Sequence, residues 1–158
     1  MRVAAFNGTR SRVESPLRKK LIKILSLSER VLATDKILKD PKEYANELRR
    51  AKFLLCPRGI TPWTRRVFDG ILMETVPVII SDDVEFPFES YLDWSLFTVK
   101  ISEAAAVQPG YIEDRLQSMV SNGVYAQKLY QLRRIRAVFD WESPHVTNVL
   151  LWELNRRK

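Results

Sequence analysis

Three short apolar runs lie in the middle of the chain, each closed by polar or turn-forming residues. Residues 53–56 read Phe-Leu-Leu-Cys and stop at Pro57, Arg58 and Gly59. Residues 76–80 read Val-Pro-Val-Ile-Ile, and 97–101 read Phe-Thr-Val-Lys-Ile. Runs this short and this rich in β-branched or aromatic residues predict buried strands, with Pro77 tolerable only near the start of its strand. Between the first two runs Val67, Phe68, Ile71 and Leu72 recur at helical spacing, so a helix is expected over 64–74. Strand, helix and strand make a βαβ unit, with parallel strands and a right-handed crossover. In such sheets ligands bind outside the carboxyl ends of the strands.

The flanks continue the alternation. Residues 2–6 read as a strand ending in Asn7 and Gly8, and the polar stretch up to Ser15 as a loop. Ser15 is placed to cap a helix with Pro16 at its first position, with Leu17, Leu21, Ile24 and Leu25 as its inner stripe. A further strand is expected over 30–33. Asp40 caps the next helix, again with proline first (Pro41), and Tyr44, Ala45 and Leu48 face inward. From Ile112 the pattern is helical, broken near 121–123 and 143–144. Apolar positions of the tail, including Trp141, Val149, Leu150 and Trp152, read as a packing face; left unpaired, it would expect a partner surface. Together these elements predict an α/β fold, a Rossmann-like parallel sheet flanked by helices.

Length and charge narrow the picture. With 158 residues the chain fits one domain. No window approaches the roughly 20 apolar residues of a membrane span, and the opening apolar run is too short for a signal peptide. The net charge of +7 is unevenly spread. Residues 1–66 carry 17 basic and 6 acidic groups, residues 67–114 carry 1 and 10, and the last 44 residues carry 8 and 3. A basic first part facing an acidic middle suits a site that holds an anion and also grips hydroxyls. A basic nucleic-acid-binding protein is the alternative from another class, but no helix-turn-helix, zinc-finger or ribonucleoprotein pattern supports it. Cys56 is the one cysteine and falls in an apolar strand, where a buried, inert thiol is expected. One Cys and one His are too few for a structural zinc site, and His145 reads as a surface or capping residue.

The candidate chemistry clusters around the βαβ unit. Gly59 permits a sharp turn after the first strand, and Arg58 is expected to point across the carboxyl edge of the sheet. Thr64 is a natural N-cap, which would leave backbone amides at a positive helix start suited to phosphate. Arg66 adds a guanidinium fork for diphosphate oxygens. Asp69, three residues on, shares a face with Arg66 and is placed either to accept from ribose hydroxyls or to form a surface salt bridge with Arg65 or Arg66. Asp83 and Glu85 mimic a carboxylate pair that holds a divalent ion.

The pieces FLLCPRG, RVFD, VPVIISDD and EFPFE followed by LDW, in this order over about forty residues, resemble the exostosin family of glycosyltransferases, glycosyltransferase family 47. Weaker similarity reaches from the FNG near the start, through the Arg18 region, to the C-terminal helices. The resemblance implies the C-terminal, donor-binding lobe of a two-lobed (GT-B type) enzyme. Such an enzyme moves a sugar from a nucleoside diphosphate, expected to be uridine diphosphate (UDP), onto a glycan acceptor with inversion. It implies donor contacts for Arg18, Arg66, Asp69 and Glu85, the last toward sugar hydroxyls, with Phe86, Pro87 and Phe88 anchoring the loop. Arg58 and Thr64 join them as donor-binding candidates from their places at the strand end and helix start. It implies no metal at Asp83 and Glu85, because basic residues and helix dipoles would neutralise the leaving diphosphate. No catalytic base is assigned.

Two positions depart from the family pattern: Glu74 stands where a small residue is usual, and Asn7 where a basic one is. The whole chain, 1–158, is expected to be the nucleotide-sugar-binding domain with C-terminal helices over 110–158. An N-terminal acceptor lobe is expected to be missing, or supplied as a partner subunit. On that reading the isolated chain gives at most slow hydrolysis of its donor. A non-catalytic nucleotide-sugar-binding module or truncated copy is the same-fold alternative. A full-length eukaryotic parent would face the Golgi lumen behind a membrane anchor.

Overall fold

In the computed structural model, residues 2–7, 15–34 and 40–156 are described. Five strands, β1 (Arg2–Asn7), β2 (Val31–Thr34), β3 (Ala51–Pro57), β4 (Val76–Ile80) and β5 (Val99–Lys100), form one sheet in the order β2-β1-β3-β4-β5. Every pairing is parallel. Strands β3 and β4 lie side by side with Phe53 opposite Val76 and Cys56 opposite Ile79, as the βαβ reading requires. The order reverses direction between β1 and β3, the topological switch point of a doubly wound fold.

Burial explains the strand sequences. All five residues of β4 and nearly all of β3 are buried, so neither shows polar alternation. Pairing of β4 with β5 begins only at Val78, so Pro77 lies where β4 has a single neighbouring strand. The last expected strand shrinks from five residues to two, since Phe97 and Thr98 follow a single 3-10 turn over Trp94–Leu96.

Helices α1 (Pro16–Leu25) and α2 (Pro41–Arg49) both start on proline. Asp40 caps α2 through its side chain, which accepts from the Lys42 amide at 2.9 Å. Ser15 occupies the cap position of α1 but makes no side-chain cap bond. The expected loop over 8–14 lies outside the described residues.

The crossover helix α3 (Arg66–Leu72) is shorter than the expected 64–74. It presses Gly70 so closely on the sheet that a Cβ there would lie 2.9 Å from the Thr75 carbonyl and 3.2 Å from Pro77. After α3 the chain reverses through Glu74 at φ 57°, a left-handed conformation that favours glycine. That explains why a small residue suits this position. Glu74 offsets its strain by accepting from Arg133 Nε at 2.8 Å and Arg136 Nη1 at 3.1 Å.

Beyond β5 come α4 (Glu103–Ala106), α5 (Tyr111–Ser121), α6 (Val124–Ile135) and α7 (Pro144–Arg156). Gly110 and Gly123, at φ 79° and 81°, start α5 and α6. The tail departs from its expected packing face. Helix α7 buries Val146 and Glu153, whereas Trp141, Leu150 and Trp152 are exposed. Glu153 is drawn in because it accepts from Ser90 and Arg156, and Trp152 rests on Tyr91 with ring centroids 5.0 Å apart. No helix among the described residues is long and apolar enough to cross a membrane.

Candidate functional site

The carboxyl end of β3 is where α1, α2 and α3 bring their polar side chains together. Arg18, in the first turn of α1, reaches over the sheet edge. Its Nε donates to the Arg58 carbonyl at 3.0 Å and its Nη2 to the Pro57 carbonyl at 3.1 Å. Those two carbonyls fix the guanidinium at the switch point between β1 and β3. A Cβ on Gly59 would lie 3.5 Å from Arg18 Nη2, so the turn after β3 runs directly against it.

Arg66 opens α3 on the same edge, with its guanidinium 5.8 Å from the centre of the Phe6 ring in β1. Burial, and then the neighbouring charge of Arg66, lower the Arg18 pKa from its ordinary 12.5 to about 10. Two positive groups near one strand end suit an anionic ligand, whose charge would favour both.

Asp69 follows three residues after Arg66 on α3. Its Oδ2 accepts a hydrogen bond from the Tyr44 hydroxyl of α2 at 3.1 Å. Its Oδ1 lies 3.8 Å from Arg65 Nε, a contact held by a largely exposed side chain. The surface pair weighed from the sequence therefore exists with Arg65, but it is loose. The Tyr44 phenol is shifted well above its ordinary pKa, first by burial and then by the Asp69 carboxylate, so it stays protonated and donates. The Cys56 thiol is fully buried and pushed far up by burial, which keeps it an inert wall.

The other candidates fall elsewhere. The Arg58 backbone joins the cluster through its carbonyl, but its guanidinium turns toward Glu103 of α4, with Nη1 3.4 Å from Oε1. Thr64 is buried but is not the cap of α3. The cap falls on Arg65, already in helical conformation and without a side-chain cap bond. The chain enters α3 through a tight turn in which the Val67 amide bonds the Thr64 carbonyl and the Phe68 amide bonds the Arg65 carbonyl. First-turn amides expected to face phosphate are therefore occupied at 67 and 68.

Asp83 and Glu85 are exposed on the loop after β4. Among the described residues no three His, Cys, Asp or Glu side chains converge as a metal site. Phe86 stacks on Trp94 at 4.2 Å and Phe88 packs near Phe139, while exposed Pro87 contributes its carbonyl as acceptor for Trp94 Nε1.

Sequence reasoning assigned Tyr44 to packing and missed its polar contact with Asp69. The signal was a hydroxyl on the inward face of an amphipathic helix, which must find a partner when buried. Glu103 was missed because its partner Arg58 lies 45 residues away.

Family comparison agrees with this architecture. The model of the exostosin GT47 domain matches residues 2–116, from β1 into α5. The chain belongs to this glycosyltransferase family. It is 31% identical over 105 residues to the probable arabinosyltransferase ARAD1 of Arabidopsis thaliana, covering 66% of this chain and 23% of that protein. It is 40% identical over 60 residues to a probable glucuronosyltransferase of Oryza sativa subsp. japonica, covering 38% of this chain and 14% of the relative. With the probable β-1,4-xylosyltransferase IRX10 of Arabidopsis thaliana it shares 36% identity over 63 residues, or 40% of this chain and 15% of the relative. The chain thus spans less than a quarter of each of these relatives.

Proposed function

We propose that this chain is the donor-binding lobe of an inverting glycosyltransferase that uses a UDP-sugar and a glycan acceptor. The observation that carries the reading is the Arg18 guanidinium, tied to two β3 carbonyls and held beside Arg66 at the switch point of the sheet. This is where a doubly wound fold receives its ligand, and the charge suits a diphosphate. Arg18 and Arg66 hold the diphosphate, and Asp69 accepts from the ribose. Thr64 belongs to the adjoining wall. Arg58 supplies backbone, and Glu85 on its exposed loop meets sugar hydroxyls.

In transfer, the acceptor oxygen bonds the anomeric carbon as its bond to the diphosphate breaks, and the arginine pair stabilises the charge that departs. An acceptor lobe, or a partner subunit in its place, brings the acceptor and the base that takes its proton. The relatives' names, probable arabinosyl-, glucuronosyl- and xylosyltransferases, favour a pentose or uronic acid donor and a role in polysaccharide synthesis. The Golgi membrane is the compartment that the donor-lobe reading assigns to a full-length eukaryotic parent.

Calorimetric titration tests the reading. UDP binds more tightly than uridine, and Arg66→Ala weakens UDP at least about tenfold, the value of one lost charge-assisted contact. Equal affinity for nucleoside and diphosphate would overturn it. Strong, salt-dependent binding to nucleic-acid strands would replace it with the other class.

A further inference from the structure

Tyr44 lies on a different helix from the residues that the donor reading employs, yet its hydroxyl is bonded to one of them. We propose that Tyr44 is a positioning residue for donor recognition: by occupying Asp69 Oδ2 it orients the carboxylate so that the remaining acceptor sites face the ribose hydroxyls of a nucleoside diphosphate. The inference rests on the donor reading above and names the device that gives it selectivity for the ribose.

The geometry supports this in three ways. The Asp69 side chain is 23% exposed, so its carboxylate is anchored at one oxygen and still reachable from solvent. A carboxylate has about four acceptor sites, and the single Tyr44 bond leaves the others available. The competing partner, Arg65, is 3.8 Å away and 80% exposed, too long and too solvated to hold Oδ1 firmly.

A carboxylate torsion is broad and turns easily, and a donor on a separate helix removes that freedom. A neutral phenol does so without a positive charge that would compete with the ligand. Burial of the Tyr44 ring and the adjacent carboxylate keep the phenol protonated, so it acts as donor throughout the neutral range.

A simple tie between α2 and α3 would use the same bond, and the ligand separates the two roles. Wild type, Tyr44→Phe, Tyr44→Leu and Asp69→Asn are each titrated with UDP and with 2′,3′-dideoxyuridine diphosphate, and melted without ligand. Wild type prefers UDP by about tenfold. Both Tyr44 variants lose at least about threefold of that preference with unchanged affinity for the dideoxy compound, and Asp69→Asn abolishes it. Tyr44 variants that keep the full preference would reduce the bond to a helix tie, whatever their melting temperatures. Wild type binding both diphosphates equally would instead remove the ribose contact of the donor reading, and the inference with it. Wild type binding neither diphosphate would overturn the donor site as a whole.

Discussion

The two halves of the sheet's carboxyl edge handle charge in opposite ways. At the β4–β5 end, signs alternate and close on one another. Glu103 Oε1 faces Arg58 Nη1 and the Asp82 amide, both at 3.4 Å; Asp82 Oδ1 accepts from the Glu103 amide at 3.1 Å; and Lys100 donates to the Asp82 carbonyl at 3.3 Å. At the β1–β3 end, Arg18 lies near enough to Arg66 to feel its charge, and Asp69, on the same helix as Arg66, accepts a hydrogen bond from a neutral phenol. A network that satisfies itself stabilises a loop. A cluster with like charges brought together gains most when an anion arrives. The difference separates a structural edge from a candidate binding edge, although both are rich in arginine and acid in the sequence.

The sharpest way to break this contrast is Arg18→Ala. It removes the guanidinium at the switch point and its bonds to the Pro57 and Arg58 carbonyls. UDP affinity should fall about a hundredfold, with a lower melting temperature as the end of β3 loses its tether. A fall below about threefold in calorimetry would place the anion elsewhere.

A smaller effect is expected at Glu74, whose carboxylate answers two arginines in the manner of the β4–β5 network. Glu74→Ala keeps the left-handed backbone and loses both pairs, costing about 1 kcal/mol. Glu74→Gly loses the same pairs but relieves the strained φ, and should be more stable than the alanine variant by about 1 kcal/mol in urea melts. The hydrogen bond from Arg133 chiefly, with Arg136, holds the Glu74 carboxyl below its ordinary value of 4.5. A lowered carboxylate contributes stability above the unfolded value and loses it as pH falls through the folded one. The gap between wild type and Glu74→Gln should therefore close in acid, and a gap that widens there would contradict the pairing.

The smallest effect should come from Arg58→Ala. Its guanidinium partner is Glu103, both side chains are partly exposed, and the pair is worth under about 1 kcal/mol. UDP affinity should change by less than about threefold. A loss as large as that of Arg66→Ala would show that Arg58 leaves Glu103 for the ligand, and the contrast between the two edges would dissolve.

Much of the frame was legible in the order of residues, because it depends on local periodicity. Continuous apolar runs over β3 and β4 marked strands covered on both faces, and Asp40 with Pro41 marked the start of α2. Motif spacing around RVFD and EFPFE was enough to indicate the family. Ends of elements were less legible. Thr64 has the chemistry of a cap, yet the tight turn through Arg65 moved the cap by one residue, since backbone geometry and not side-chain type fixes where helical bonds begin.

What only the tertiary structure decided is which charges meet. The residues of the sequence set the composition of the site, a basic first part and an acidic middle, and the position of Arg66 and Asp69 on one helix. They did not set the direction of Arg58, 45 residues from its partner, or the contact of Tyr44 with Asp69 across 25 residues. Nor did they reveal that Arg18 would find the carbonyls of β3, 39 and 40 residues away. Helical and strand periods act over a few residues and are written in the local pattern. Charge and hydrogen-bond partners depend on distances of a few ångströms between distant segments, which exist only once the sheet has brought its strand ends together.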